Sequence, residues 1–551
     1  MTVSAEDADV SKAPAGAPAV LAVVALAGAA TMTVELSAVR LLAPWFGASS
    51  GVWTNVIGVV LLALALGYTL GARLSRRPRP DRDLGLVLLL GAGLVAWLPA
   101  LAAPVARIFM PSGVALDQAA SLLTWGSLAA SLVLFSPAAL TLGCVGPLAV
   151  EVLGRRRPER PGEAGGRVLG ASTLGSLAGT FGTTHLFLPE LGLAKTFLMA
   201  GGLLGMLGLW LRLQAGGGAA AGVLILLPAG AATGLAPYSP PAIPDELSLL
   251  AERQSPYQSL RVVEAEADSE RPMRMLQVNE SLDSFQSLWI PQSGPLGSQY
   301  YYDHFIPPVW WTGRPNGSGA RAEPWDLLIL GMGAGTSVRV LEGLLPPGCT
   351  LHSTGVEIDP EVVALGKAYF DMETGRPERR VWGGLDGRAA LELSPGGYDQ
   401  IILDSYANNM EVPAHLSTTE FFALAAEKLA PGGWLTVNAA GFGLEDPVVR
   451  ALAETAAHGL QSPVLLLRVP FSRNCILHGR KDAALPLPGS EEFAVEHPDV
   501  AALLAPLGLP GAWALVQAPA APPLTDDLNP VDRLQLESIA AGRQRWVEGL
   551  R

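Results

Sequence analysis

Cysteine is scarce in this sequence: only Cys144, Cys349 and Cys475 occur in 551 residues, with no C-x-x-C pair and no spacing that would gather metal ligands. That excludes a disulfide framework and a structural zinc site, both of which need clustered thiols, and no metal is expected. Positive charge is in deficit as well, since 37 Lys and Arg against 50 Asp and Glu leave a net charge of -13. Phosphate binding needs a basic surface, so nucleic acid is excluded as a partner, and a small-molecule amine suits this balance better. The segment Met1–Lys12 is acidic and lacks the basic start and small-residue cleavage site of a secretory signal, so the first apolar run is expected to stay as an anchor.

Charge is what the first 240 or so residues lack. Half of all residues are hydrophobic (50%), and nearly all the long uncharged runs fall in this part. Runs of spanning length lie near Pro18–Val39, Val52–Ala72, Leu84–Ala106, Leu122–Val150, Val168–Pro189, Leu193–Leu211 and Ala219–Leu235. After a tail at 1–17 they predict an N-terminal multi-pass α-helical membrane domain of about seven helices over 18–236, with the lipid bilayer of the cell membrane as partner. Arginines cluster at Arg73, Arg76, Arg77, Arg79 and Arg82, and again at Arg155, Arg156, Arg157, Arg160 and Arg167, which places both connections and the N-terminus in the cytoplasm. Seven crossings would put the C-terminal half outside and one crossing fewer would keep it inside; the pattern accommodates both. Gly67 with Gly71, and Gly175 with Gly179, are spaced to let helices approach closely. Glu35 is a carboxylate in an apolar run, with two readings: pairing with Arg40 near the interface, or a transport or substrate-entry role.

From about Asp245 onward the charge returns and the periodicity changes. Tyr257–Glu264 and Arg274–Asn279 read as strands of a small β subdomain over 245–322, and Tyr300–Phe305 opens a helix. Strands at 327–330, 351–356, 400–404 and 434–438 then alternate with helices at 336–345, 360–370 and 418–430, predicting a mainly parallel sheet over 323–551 with its ligand at the carboxyl ends of the strands.

Within that frame the apolar run Leu327–Leu330 enters Gly331-Met332-Gly333-Ala334-Gly335, where the missing side chains of Gly331, Gly333 and Gly335 let backbone N–H groups approach a ligand. Glu357 ends the next strand where ribose hydroxyls would lie, Asp386-Gly387 sits where another short strand would end, and Asp404 closes a further one. Asp359 before Pro360 reads as a helix cap. Several acids converging on one crevice point to a nucleoside site.

These residues carry a resemblance. Ser255-Pro256-Tyr257-Gln258, the Gly-rich loop, Val356–Val363, Asp386-Gly387, Tyr398–Ser405 and Leu429–Gly433 resemble the spermidine synthases, the polyamine aminopropyltransferase family, over roughly Ser255 to Asn438. Glu35–Leu42, Ala43–Gly47 and Trp53 resemble its membrane-fused bacterial members. The resemblance implies a Rossmann-like (class I methyltransferase-like) α/β domain, decarboxylated S-adenosylmethionine as cosubstrate, no metal, and a homo-oligomer. By the same resemblance Glu357 holds the ribose hydroxyls, Asp386 with Gly387 the adenine amino group, and Gln258 the donor. Tyr302 lines the polyamine-side cavity, and Asp404 faces the reacting amine. An acid there makes chemical sense: the attacking amine must be neutral, yet a free alkylamine has a pKa of about 10 and arrives protonated.

Two departures stand out. Ala334 and Ala407 occupy positions where the family carries acids, each of which would contribute about 1.5–3 kcal/mol toward a cationic amine. Glu411 and His415, in the loop that follows Asp404, are the candidates to replace them, and Leu524–Pro530 reads as a turn before a final helix. The sequence therefore predicts a membrane-bound, spermidine-synthase-like transferase moving an aminopropyl or related alkyl group to an amine. The rivals are an S-adenosylmethionine-dependent methyltransferase and a non-catalytic nucleoside-thioether-binding transporter or sensor.

Overall fold

In the computed structural model the described residues are 16–46, 50–110, 125–156, 161–220, 222, 243–265, 272–278, 285–292, 294–312, 324–373, 378–406 and 411–539. Most of the candidate span 219–235, the tail 1–15, and Ala407 lie outside them. The chain divides into two compact units: a helical one within 1–242, and a second one that comprises 243–551 together with 115–120.

The helical unit contains α1 (Ala17–Phe46), α2 (Ser50–Leu74), α3 (Pro80–Phe109), α4 (Ser127–Gly143), α5 (Val145–Gly154), α6 (Pro161–Gly182) and α7 (Leu193–Gln214). Among the described residues five helical stretches are long and apolar enough to cross a membrane, with α4 and α5 running together as one of them. The expectation was about seven. Helix α6 forms, but its Gly, Ser and Thr content keeps it outside that set of five. The spaced glycines act as helix contacts: a Cβ at Gly67 or Gly71 would run into the backbone of α4 or its end at Cys144, and one at Gly175 or Gly179 into the backbone of α1 at Ala25 or Ala29. The Glu35 Oε2 atom is buried without a hydrogen-bond partner.

The second unit begins with a four-stranded antiparallel sheet, β1 (Leu247–Gln254), β2 (Ser259–Ala265), β3 (Met273–Val278) and β4 (Ser287–Trp289), twice the number of strands the sequence suggested. Tyr301–Phe305 is a 3-10 turn followed by the short helix α8 (Pro307–Thr312), rather than the start of one longer helix.

An eight-stranded sheet follows: β5 (Trp325–Leu330), β6 (Leu351–Glu357), β7 (Arg379–Gly383), β8 (Tyr398–Leu403), β9 (Leu429–Ala440), β10 (Val464–Arg468), β11 (Asn474–Arg480) and β12 (Trp513–Val516). Its spatial order is β12-β10-β11-β9-β8-β5-β6-β7. Strands β5 to β9 pair in parallel, and the apolar stretches of β5, β8 and β9 suit strands covered on both faces, whereas β7 at the sheet edge is polar and partly exposed. The last three are antiparallel, so the sheet is mixed where a mainly parallel one was expected. Helices α9 (Thr336–Gly343), α10 (Pro360–Tyr369), α11 (Gly387–Leu393), α12 (Thr419–Lys428) and α13 (Pro447–Leu460) connect the strands. The chain reverses its direction of travel across the sheet between β5 and β8, and a sheet of this type opens a crevice there at the carboxyl ends of its strands.

Candidate active site

Strand β5 ends at Leu330 and the backbone turns through Gly331, Gly333 and Gly335, all with positive φ (86°, 55° and 95°). At Gly331 no other residue fits: beyond its left-handed backbone, a Cβ would collide with the carbonyl of Asp404. That close approach brings the tips of β5 and β8 together, and the Asp404 N–H donates to Leu330 O (2.8 Å). The loop is braced from the small sheet, where Ser287 Oγ accepts from Ala334 N (2.8 Å) and the Thr336 hydroxyl donates to Leu288 O (2.8 Å).

Glu357, at the end of β6, is buried. Its Oε2 accepts from Gly333 N (2.9 Å) and its Oε1 from Asp359 N (3.1 Å). Burial pushes its carboxyl up to about 7, against the pull of the two amides. Asp359 caps α10 by accepting from Glu361 N (3.0 Å), as expected, and its other oxygen accepts from Ser255 Oγ (2.6 Å). Ser255 also closes the turn that carries Gln258, with Ser255 N donating to Gln258 O (2.9 Å), so half-buried Gln258 is held on a turn tied to the residues just after the β6 tip.

Asp386 follows β7 and is both ligand candidate and helix cap. Its Oδ1 accepts from Arg388 N (2.9 Å) and Ala389 N (3.1 Å), and its Oδ2 meets His415 Nε2 (2.8 Å). Burial alone would raise this carboxyl, but His415 and the two amides together outweigh it and hold the group below its ordinary value. A Cβ on Gly387 would only come into van der Waals contact with Leu330 and Leu416, which places the start of α11 near the β5 tip.

Asp404 follows β8 in a half-buried position. Asn438 Nδ2 donates to its Oδ1 (2.8 Å), and the Tyr301 phenol leans on the same carboxylate. Burial lifts Asp404 to about 7, and the neighbouring Glu357 charge adds to the rise while Asn438 and Tyr301 oppose it. Burial, then the Asp404 charge, push the Tyr301 and Tyr302 phenols up as well, so both stay protonated donors.

The predicted residues thus divide. Gly331, Gly333, Gly335, Glu357, Asp386, Gly387 and Asp404 lie at or just beyond the carboxyl ends of neighbouring strands β5 to β8, and Gln258 sits on the turn that Ser255 ties to Asp359. Tyr302 is buried with its hydroxyl committed to Gln286 O (3.0 Å), and its neighbour Tyr301, ring centroids 4.0 Å apart, is the phenol that reaches Asp404. His415 is bonded to Asp386 because the 414–417 segment is fastened from the C-terminal turn: Asn529 Nδ2 donates to Ala414 O (2.7 Å), and Arg388, whose guanidinium donates to Asp526 Oδ1 and Oδ2 (2.7 Å each), also bonds His415 O. Glu411 is half-buried at the head of that segment. Ala334 is fully buried among Leu260, Val262, Val362, Leu365 and Phe370, an apolar setting in which a carboxylate would be expensive. Sequence reasoning missed Tyr301 and Asn438. The signal for Asn438 was an amide in a strand end, Trp434–Ala440, whose only other polar residue is Thr436.

Among known proteins, a 174-residue stretch is 36% identical to a probable polyamine aminopropyl transferase of Bifidobacterium longum, covering 31% of this chain and 36% of that one. A 127-residue stretch is 35% identical to a polyamine aminopropyltransferase of Mycobacterium tuberculosis, covering 22% of this chain and 23% of the relative. The chain therefore matches well under two thirds of either relative's length. The crystal structure of a probable spermidine synthase from Corynebacterium glutamicum superposes on 49% of this chain and 90% of its own at 19% identity, with a TM-score of 0.38. No family model matches the chain.

Proposed function

From the likeness of one stretch of this chain to polyamine aminopropyltransferases, we propose that it is a transferase moving an aminopropyl or related alkyl group from a decarboxylated S-adenosylmethionine-type donor to a small amine. The observation that carries the reading is the meeting of Glu357, Asp386 and Asp404, from the ends of three different strands, around the Gly331–Gly335 turn. In this reading Glu357 takes the ribose hydroxyls, Asp386 and Gln258 contact the rest of the nucleoside, and Tyr301 and Asp404 face the amine. Tyr302 supports Tyr301 from behind. Glu411 and His415 close the segment over the donor. The five long apolar helices support a multi-pass anchor in the cell membrane.

In the reaction the amine nitrogen attacks the carbon next to the sulfonium; the C–N bond forms, the C–S bond breaks, and its electron pair stays on sulfur as a neutral nucleoside thioether. The proton that the amine brings must leave, and a carboxyl poised at about 7 is matched to take it at neutral pH. Holding amine and carbon in line supplies much of the rest of the acceleration.

The test is product analysis. Full-length protein in detergent, offered decarboxylated S-adenosylmethionine with a panel of amines, is expected to release 5′-methylthioadenosine and an aminopropylated amine. Release of S-adenosylhomocysteine from S-adenosylmethionine, with no thioether from the decarboxylated donor, would replace this reading with methylation.

A further inference from the structure

Behind the Asn438 amide that donates to Asp404 run two further links, a second asparagine and a serine hydroxyl. Ser472 Oγ donates to Asn474 Oδ1 (2.8 Å), Asn474 Nδ2 donates to Asn438 Oδ1 (2.8 Å), and Asn438 Nδ2 donates to Asp404 Oδ1 (2.8 Å). Each link orients the next, because an amide donates from one end and accepts at the other. With its oxygen taken by Asn474, Asn438 can present only its NH2 to the carboxylate. Asn474 in turn has its oxygen taken by Ser472, so its NH2 faces Asn438. Asn438 is 3% exposed, and a flip there would set oxygen against oxygen away from water.

The path follows from strand register. Asn438 pairs with Ile476, and Asn474 with Ala440, so the two asparagines lie diagonally across the antiparallel β9–β11 pair, within side-chain reach. The relay therefore joins the turn between β10 and β11 to the crevice. The Tyr406 hydroxyl fixes the same strand end by donating to Asn438 O (2.5 Å) and accepting from Ala440 N (2.9 Å).

We propose that Asn474, oriented by Ser472, is a positioning residue of the site: it locks the Asn438 amide so that its NH2 is presented to Asp404, and so keeps that carboxylate available as an anion to an incoming ammonium group. The proposal rests on Asp404 being the amine-facing base. The titratable groups around Asp404 are Tyr301 and Tyr302 on the 3-10 turn, Glu357 at the tip of β6, and Tyr406 after β8. Glu357 opposes ionisation and the Tyr406 hydroxyl is committed to the backbone, which leaves the relay and Tyr301 to favour it.

The test reads Asp404 directly, in full-length protein carrying 13C at its aspartate carboxyls, with the Asp404 resonance identified by its loss in Asp404→Asn. Asn474→Ala is expected to raise the titration midpoint by about half a unit and Asn438→Leu by about one unit, because a donor to the charged form is loosened or lost. Phe471→Ala, in the same turn but wholly exposed and outside the relay, is expected to leave it in place. The near-isosteric Asn474→Asp replaces a donor by an acceptor and is expected to raise the midpoint further than Asn474→Ala, even where the alanine variant folds poorly. An unmoved midpoint in Asn474→Asp, or an equal movement in Phe471→Ala, would overturn the proposal. The titration needs no substrate, so a missing transferase activity would remove the proposed reaction while leaving the lock on Asp404 to be judged separately.

Discussion

In the helical unit Gly67, Gly71, Gly175 and Gly179 omit side chains so that one helix backbone can lie against another, whereas in the α/β unit Gly331 lets the tips of β5 and β8 meet and Gly333 turns its N–H to the Glu357 carboxylate. The acids differ in the same way. Glu35 leaves one buried oxygen without a partner, while Glu357, Asp359, Asp386 and Asp404 are each held by hydrogen bonds. Close packing is the organising requirement of the first unit, and a preorganised polar crevice that of the second. Substitutions should therefore read out as stability in one and as binding or chemistry in the other.

The sharpest test of that division is Asp404→Asn, expected to lower turnover by about 10²–10⁴-fold with nucleoside binding retained. Its stability has a defined sign. Asp404 is raised from 3.8 to about 7 in the folded chain, so its favourable contribution is full below about pH 4 and fades as pH rises through about 7, where the buried group must ionise. The asparagine cannot ionise, and its melting temperature is expected to exceed that of the parent at pH 8. A variant less stable than the parent at pH 8 would mark Asp404 as a folding residue and blur the contrast.

Glu357→Gln comes next. Loss of a charged acceptor for ribose is worth about 1.5–3 kcal/mol, or roughly 10–100-fold in affinity for 5′-methylthioadenosine by calorimetry. Unchanged affinity would break the nucleoside reading of the crevice. On the other side of the comparison, Gly175→Val drives a side chain into the Ala25 backbone and is expected to destabilise the helical unit by about 1–3 kcal/mol, seen as a lower melting temperature in detergent. Nucleoside affinity should be untouched; a parallel loss would show that the two units cannot be treated separately.

Sequence made the centre of the α/β unit legible because β5 and β8 finish in apolar runs that enter a glycine turn or an acid, and the more polar β6 also ends in an acid, a pattern set by local chemistry. It hid β10 to β12, which pair antiparallel on one side of the sheet and so break the regular alternation of parallel strands and helices that the centre follows. The small sheet was half seen: β2 and β3 carry buried side chains, while β1 is largely exposed and β4 is three residues long. Between the adjacent rings Tyr301 and Tyr302 the sequence gives no sign of which one the turn sets against Asp404 and which one it commits to Gln286 O. Asn438 escaped notice because its partners lie 34 and 36 residues away, across strands whose register a single sequence does not specify.

The smallest expected effect concerns His415, and its sign can be worked through. The His415 hydrogen bond, with the α11 amides, holds Asp386 below its ordinary value against the burial that would raise it. Such a group contributes stability above its unfolded pKa and loses it as pH falls through the folded one. In His415→Ala the amides remain but burial is less opposed, so Asp386 takes up its proton at higher pH. At pH 7.5 it stays ionised in both forms, and affinity for 5′-methylthioadenosine should differ by no more than about 3-fold, the scale of a half-exposed interaction. At pH 5 the variant should weaken more than the parent, if Asp386 binds the adenine amino group as a carboxylate. Parallel affinity curves from pH 7.5 to pH 5 would mean instead that Asp386 serves α11 alone and that the nucleoside is held from the Glu357 side.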